Sequence, residues 1–178
     1  KNRMYCNYAF YFGATADNVN QLAKLKDLEG CCGIKLFAGS STGNLLVADE
    51  KDIDKVFENC SKVVAVHSED EEVLNKNKKL IKNGDVHSHP IWRSEECAMS
   101  STRRIVRIAE KYKKKAHVLH ITTKQEIDFL SQHKGNITFE ITPQHLTIYA
   151  PDCYDKLGTY AQMNPPIRDK SHYDRLWY

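Results

Sequence analysis

Short β-rich runs alternate along this sequence with segments of helical periodicity, and this alternation limits the folds open to the chain. Val63-Val64-Ala65-Val66 is apolar at every position, which is typical of a strand covered on both faces. Such strands alternating with helices predict parallel βαβ units joined by right-handed crossovers. Five runs have strand character: Tyr5–Phe12, Gly33–Phe37, Lys62–His67, Ala116–Ile121 and Asn136–Ile141.

The segments between these runs place apolar residues at helical spacing. Residues from Asp52 to Cys60 predict one helix, and residues from Lys124 to His133 predict a shorter one. Ser94 is a predicted N-cap of a third helix. A doubly wound sheet and a (β/α)8 barrel both agree with this pattern, which does not choose between them. Because no repeat or low-complexity linker interrupts it, residues 1–178 are predicted to form a single domain of about five βα units.

Composition narrows the class of protein. The chain has 178 residues, of which 41% are hydrophobic and 28% charged, as in an ordinary globular domain. No apolar run reaches the ~18–20 residues of a membrane-spanning helix, and no signal peptide is evident, so a cytoplasmic protein is expected. A net charge of +3 with dispersed basic residues argues against a nucleic-acid partner. Among the six cysteines, Cys60 and Cys97 fall on apolar helix faces, which favours reduced, buried thiols.

Three residues on the predicted strands are candidates for a functional site. In parallel α/β folds, reactive side chains collect where the strands end, and His67 and His120 lie near the ends of two predicted strands. Either histidine could be a satisfied core residue. Lys35, however, lies inside an apolar strand, where its amine must be paired, neutral or modified. Carbamylation would convert it into an anion able to bridge two metal ions, with the imidazoles as further ligands.

Other motifs receive a plainer interpretation. Asp85–His89 contains an HxH pattern, His87 and His89, but lacks an apolar run and is predicted to be a surface connection outside the site. Gly39–Gly43 lacks the Gly-Lys-Ser/Thr ending of a P-loop and is predicted to be a flexible strand-to-helix loop near the site. Asn164–Arg168 is a turn made rigid by two prolines, which could present Asn164 to a polar ligand.

Five segments, in order along the chain, resemble the dihydroorotases, the cyclic amidohydrolases of pyrimidine biosynthesis. The resemblance extends over nearly the whole chain from about residue 5. It implies a (β/α)8 TIM barrel of the metal-dependent hydrolase type, only part of which is present here. The five segments are Gly33–Asn44, Val66–Glu69, Arg93–Glu96, His117–Thr123 and Asn164–Arg168.

The resemblance also implies roles for particular residues. By position, Lys35 matches a carboxylated lysine that bridges two zinc ions, and His67 and His120 match two further zinc ligands. Asn164 matches a substrate-binding asparagine, and Arg168 is a weaker candidate whose role can be structural. The implied reaction is the reversible hydrolysis of the cyclic amide of dihydroorotate, a small-molecule substrate, to N-carbamoyl-aspartate.

The sequence departs from the family pattern at both ends. The family's HxH pair lies on the first barrel strand, before the residues present here, and its catalytic aspartate lies beyond Tyr178. We therefore expect a central portion of a barrel that lacks the first and last strands and is inactive alone. A homodimer is possible. The alternatives are another cyclic amidohydrolase (dihydropyrimidinase, hydantoinase or allantoinase) and a non-catalytic barrel scaffold.

Overall fold

A parallel five-stranded sheet forms the centre of the computed structural model, which describes residues 4–41, 45–133 and 135–178. Each strand overlaps a run predicted from the sequence, but the boundaries differ. The predicted run Tyr5–Phe12 becomes a strand only at its end, and the run Ala116–Ile121 leaves the sheet after Val118. The strands are β1 (Phe10–Gly13), β2 (Cys31–Phe37), β3 (Val64–His67), β4 (Ala116–Val118) and β5 (Ile137–Phe139).

The order of strands in the sheet is their order in the chain, β1-β2-β3-β4-β5, and every neighbouring pair is parallel. A doubly wound sheet reverses its strand order at a switch point, whereas a barrel adds each new strand on the same side of the last. The observed order therefore agrees with part of a barrel. It favours the barrel over the doubly wound sheet, the two folds between which the sequence pattern did not distinguish.

Helices connect the strands. The predicted helix from Asp52 to Cys60 is α1, and Ser94 caps α4 as predicted, since its hydroxyl accepts the amide of Cys97. The helix predicted from Lys124 to His133 ends earlier, at Leu130. The α-helices are α1 (Glu50–Asn59), α2 (Glu71–Asn77), α3 (Ser88–Trp92), α4 (Glu95–Lys111), α5 (Lys124–Leu130), α6 (Asp152–Leu157) and α7 (Lys170–Leu176). Ala16–Asp27, Lys78–Leu80, Pro143–Leu146 and Gly158–Ala161 form 3-10 helices.

The two faces of the sheet differ because side chains alternate along each strand. Ile34 and Leu36 of β2 are fully buried in the apolar core together with Phe57 of α1. Lys35 and Phe37 point to the opposite face. Cys60 and Cys97 are buried free thiols, which confirms their predicted placement. Across the described ranges, no helix combines the length and apolar character needed to cross a membrane.

Candidate metal centre

Lys35 and His67 lie on one face of the sheet, towards the carboxyl ends of their strands. Phe37 is opposite His67 in the register of β2 and β3, and Lys35 is opposite Ala65 two positions earlier. The Nζ of Lys35 lies 4.3 Å from the centre of the Phe37 ring, and that ring centre lies 5.7 Å from the centre of the His67 imidazole. The observed register and the alternation of side chains thus place the amine and the imidazole on the same side of the sheet.

His120 brings its imidazole to that of His67. Its Nε2 lies 3.2 Å from Nδ1 of His67, and the ring centres are 4.9 Å apart. The backbone of His120 has a φ of 42°, in the left-handed region that non-glycine residues seldom adopt. Two nitrogens bound to one tetrahedral zinc at 2.0–2.1 Å would be about 3.3 Å apart, so the observed spacing fits two ligands of a single ion.

A buried carboxylate orients His67. Glu69 Oε2 lies 2.9 Å from Nε2 of His67. Burial by itself would raise the pKa of Glu69, but hydrogen bonds from His67 and Arg93 outweigh it and lower the pKa to about 2. The ionised carboxylate only accepts hydrogen bonds, so Nε2 of His67 is the donor, and Nδ1 is the ring nitrogen that faces His120. Such a carboxylate partner is the usual support of a metal-binding histidine.

The electrostatics of His120 and Lys35 also suit metal binding. Burial, followed by the charges of His67 and Lys35, lowers the pKa of His120 to about 3, so the ring is neutral near pH 7. Its Nδ1 is buried without a hydrogen-bond partner among the described residues. Burial likewise lowers the pKa of Lys35 to about 8, against the opposing charge of Glu140. More of the amine is therefore neutral, the form that reacts with carbon dioxide.

Arg93 ties the loops around the centre together. Its Nε donates to Glu69 Oε1 over 3.1 Å, and its Nη2 contacts Glu69 Oε2 and donates to the carbonyl of Ser40 over 2.6 Å. A Cβ on Gly39 would lie 2.4 Å from the carbonyl oxygen of Glu69, so only glycine permits this approach of the two loops. The prediction of a flexible Gly39–Gly43 loop falls partly on residues 42–44, which lie outside the described residues.

The Asn164–Arg168 turn contains Arg168, which has a structural role, and Asn164, the predicted substrate contact. Arg168 is buried, and its guanidinium donates to the carbonyl of Arg93 over 2.6 Å and to Thr122 Oγ1 over 3.3 Å. This arginine therefore joins the segment after β4 to the start of α4. Asn164 is half-buried in the same turn, and its contact with substrate stays a prediction.

The segment with the HxH pattern differs from its prediction. His87 is half-buried, with 43% of its side chain exposed, and pairs with Asp155, as expected of a surface residue. His89 is buried in α3, with Nε2 2.8 Å from the carbonyl of Met163, so the prediction of a surface connection is wrong for this residue. The lack of an apolar run predicts a surface connection. Instead, the segment forms the short helix α3, which buries His89.

Sequence reasoning missed several residues of the centre. Glu69 belongs to a quoted segment but received no role, although its place two residues after His67 was a usable signal. His145 was not considered; burial lowers its pKa to about 4, and it lies close enough to His120 to influence that group. Its position in a 3-10 helix after β5 left no local pattern that could have identified it.

Known proteins resemble this chain over much of its length. A dihydroorotase from Methanosphaera stadtmanae is 29% identical over 132 residues, which are 68% of this chain and 30% of that protein. A dihydroorotase from Methanosarcina mazei is 28% identical over 170 residues, 88% of this chain and 37% of that protein. An L-hydantoinase from Paenarthrobacter aurescens is 24% identical, and the alignment covers 98% of this chain and 40% of that protein. No family model matches the chain.

Solved structures agree on the fold. The L-hydantoinase (dihydropyrimidinase) from Arthrobacter aurescens superposes with a TM-score of 0.88 at 23% identity, covering 98% of this chain and 41% of that one. A D-hydantoinase from Thermus sp. gives 0.83 at 21% identity, covering 97% and 40%. The fold is therefore part of a (β/α)8 TIM barrel.

The comparisons confirm the resemblance to the cyclic amidohydrolases that the five sequence segments predict. Within that class, the chain is similar in sequence to both dihydroorotases and an L-hydantoinase. It spans 30–40% of the length of these curated relatives.

Proposed function

We propose that this chain supplies the central part of a dihydroorotase, a zinc-dependent enzyme that reversibly hydrolyses the cyclic amide of dihydroorotate in cytoplasmic pyrimidine biosynthesis. The observation that supports it best is the convergence of His67 Nδ1 and His120 Nε2, 3.2 Å apart, on the face that also holds Lys35. The dihydroorotases among the relatives support the choice of substrate.

In this proposal, His67, His120 and a carboxylated Lys35 hold the zinc ions. Zinc, when bound, lowers the pKa of a water molecule and polarises an amide carbonyl. The two imidazoles fit this role because His67 is buried, Nδ1 of His120 is buried, and one nitrogen of each ring faces the other. Glu69 keeps the proton of His67 on Nε2, and Asn164 contacts the substrate.

A second candidate is hydrolysis of a hydantoin or dihydropyrimidine ring. It is favoured by the superposition on the L-hydantoinase, which has a TM-score of 0.88 and covers 98% of the chain. The Asn164–Arg168 turn and the Gly39–Gly43 loop favour dihydroorotate. Both candidates need the same metal centre and differ in the substrate alone.

The test uses the full-length protein. We expect stoichiometric zinc and turnover of dihydroorotate in preference to hydantoin and allantoin when the three are assayed side by side. His67→Ala and His120→Ala should lose zinc, whereas the matched control His87→Ala, at a half-buried histidine that pairs with Asp155 outside the centre, should retain it. Preferential turnover of hydantoin would replace the proposal with the second candidate. Protein without stoichiometric zinc would contradict both and favour a non-catalytic scaffold.

A further inference from the structure

A buried network of hydroxyls and one carboxylate lies behind the metal centre, between α4 and α5. Its central member is Glu126, 2% exposed, whose Oε1 accepts the hydroxyl of Thr102 and whose Oε2 accepts the hydroxyl of Thr123, each over 2.8 Å. Thr102 Oγ1 in turn lies 3.0 Å from the hydroxyl of Ser68, which also donates to Ser101 over 3.0 Å.

This network connects the two segments that hold the histidines. Ser68 directly follows His67 at the end of β3, and Thr123 lies three residues after His120 in the segment that follows β4. Thr123 is also the N-cap of α5, because its hydroxyl accepts the amide of Glu126. The chain Ser68–Thr102–Glu126–Thr123 therefore runs from one histidine segment to the other through side chains alone.

The surroundings of Glu126 combine apolar core residues with the charge of the buried Arg168. Its neighbours on α5, Ile127 and Leu130, face the core, and burial raises the pKa of the Glu126 carboxyl. A carboxyl group in such a place weakens folding unless its hydrogen bonds are made, and here both oxygens are bonded. Because the carboxylate joins Thr102 of α4 to Thr123 at the start of α5, the network points to a role in fixing geometry.

We propose that Glu126 is a positioning residue, which sets the spacing of the His67 and His120 imidazoles by joining the segments after β3 and β4 through Thr102 and Thr123. The proposal rests on the proposed function only in treating the two histidines as zinc ligands. The backbone of His120 has a left-handed conformation, which persists only where neighbouring contacts impose it. The Glu126 link supplies such contacts to the segment that holds His120. Thr122 is held on the other side by Arg168, so the Glu126 link completes the support of this segment.

The experiment compares Glu126→Gln and Thr102→Val with Ile127→Val, a control on the same helix that removes a methyl group without touching the network. The first readout is the set of imidazole nitrogen NMR signals of the full chain without metal. We expect both network variants to shift the signals of His67 and His120 and to leave those of His133 in place, since His133 pairs with Glu110 elsewhere. The second readout is zinc affinity by chelator competition, expected to fall about 10-fold in Glu126→Gln.

The outcomes separate the two proposals. Unshifted His67 and His120 signals in both network variants, or equal shifts in Ile127→Val, would overturn the role of Glu126. A wild-type chain that binds no zinc would count against the metal centre of the proposed function, while the NMR comparison would still decide whether Glu126 positions the histidines. If Glu126→Gln fails to fold, Thr102→Val tests the same link from α4.

Discussion

At the scale of single residues, Glu69 connects the stability of the chain to the geometry of the centre. It is fully buried, it contacts the guanidinium of Arg93, and it accepts the Nε2 proton of His67. Removing the charge from one partner of a buried pair leaves the other uncompensated. The residue that orients a candidate ligand is therefore also one on which the loops around β3 depend.

We expect Glu69→Gln to destabilise the chain by about 3 kcal/mol, because Arg93 stays buried without its counter-ion. Chemical denaturation measures the change, and Glu96→Gln, at an exposed position of α4, is the control. The pH dependence follows from the lowered pKa: the contribution of Glu69 is complete above its ordinary value of 4.5 and is lost as the pH falls towards about 2. The variant should show a weaker loss of stability over that interval. An equally steep loss in both proteins would contradict this assignment.

At the scale of elements, the strength of a helix cap depends on whether it also joins two helices. Asp49 is exposed and accepts one amide at the start of α1, that of Lys51 over 2.8 Å. Asp70 is buried and accepts two amides of α2, and its Oδ2 also accepts the hydroxyl of Ser100 on α4 over 2.9 Å. The first cap stabilises one helix end, whereas the second also fixes α2 against α4.

Replacing each cap with alanine should separate these two roles. We expect Asp49→Ala to lower the free energy of unfolding by about 1 kcal/mol, the usual effect of a lost N-cap. Asp70→Ala should lower it by about 2–3 kcal/mol, since the half-buried hydroxyl of Ser100 and the guanidinium of Arg104 also lose their partner. Equilibrium urea unfolding of both variants decides the matter, and equal losses would mean that the contacts of Asp70 with Ser100 and Arg104 contribute nothing.

The helices and strands also show which features of the fold can be predicted from local sequence patterns. Helix α1 and the N-cap of α4 were predictable because apolar spacing and a capping serine are encoded within one turn of chain. The end of β4 could not be predicted from the sequence. The β-rich run continues to Ile121, but β4 ends at Val118 and His120 has a left-handed backbone. Similarly, the face shared by Lys35 and His67 follows from alternation, whereas the contact of Arg93 with Ser40 joins residues 53 positions apart.

At the scale of the whole molecule, the sheet ends in two strands that each pair on one side within the described part of the chain. β1 pairs with β2, and β5 pairs with β4. The β1 side also exposes aromatic rings: Phe10 is 68% exposed and packs edge-on against Tyr8. An open strand edge beside exposed aromatic surface is a template for pairing with another chain. In the complete barrel of the proposed function, another strand of the same protein would pair with this edge, whereas in the 178-residue chain by itself a second copy can pair there.

We therefore expect the 178-residue chain, studied by itself, to self-associate through β1. Phe10→Lys places a charge on the open strand, which natural edge strands use to oppose such pairing. Sedimentation velocity over a concentration series should show association in the wild-type chain and a shift towards monomer in Phe10→Lys. Tyr160→Lys is the matched control, because Tyr160 is 92% exposed but lies in a 3-10 helix after α6, outside the sheet. If the control variant shifts as far as Phe10→Lys, general surface charge and not the β1 edge governs the association.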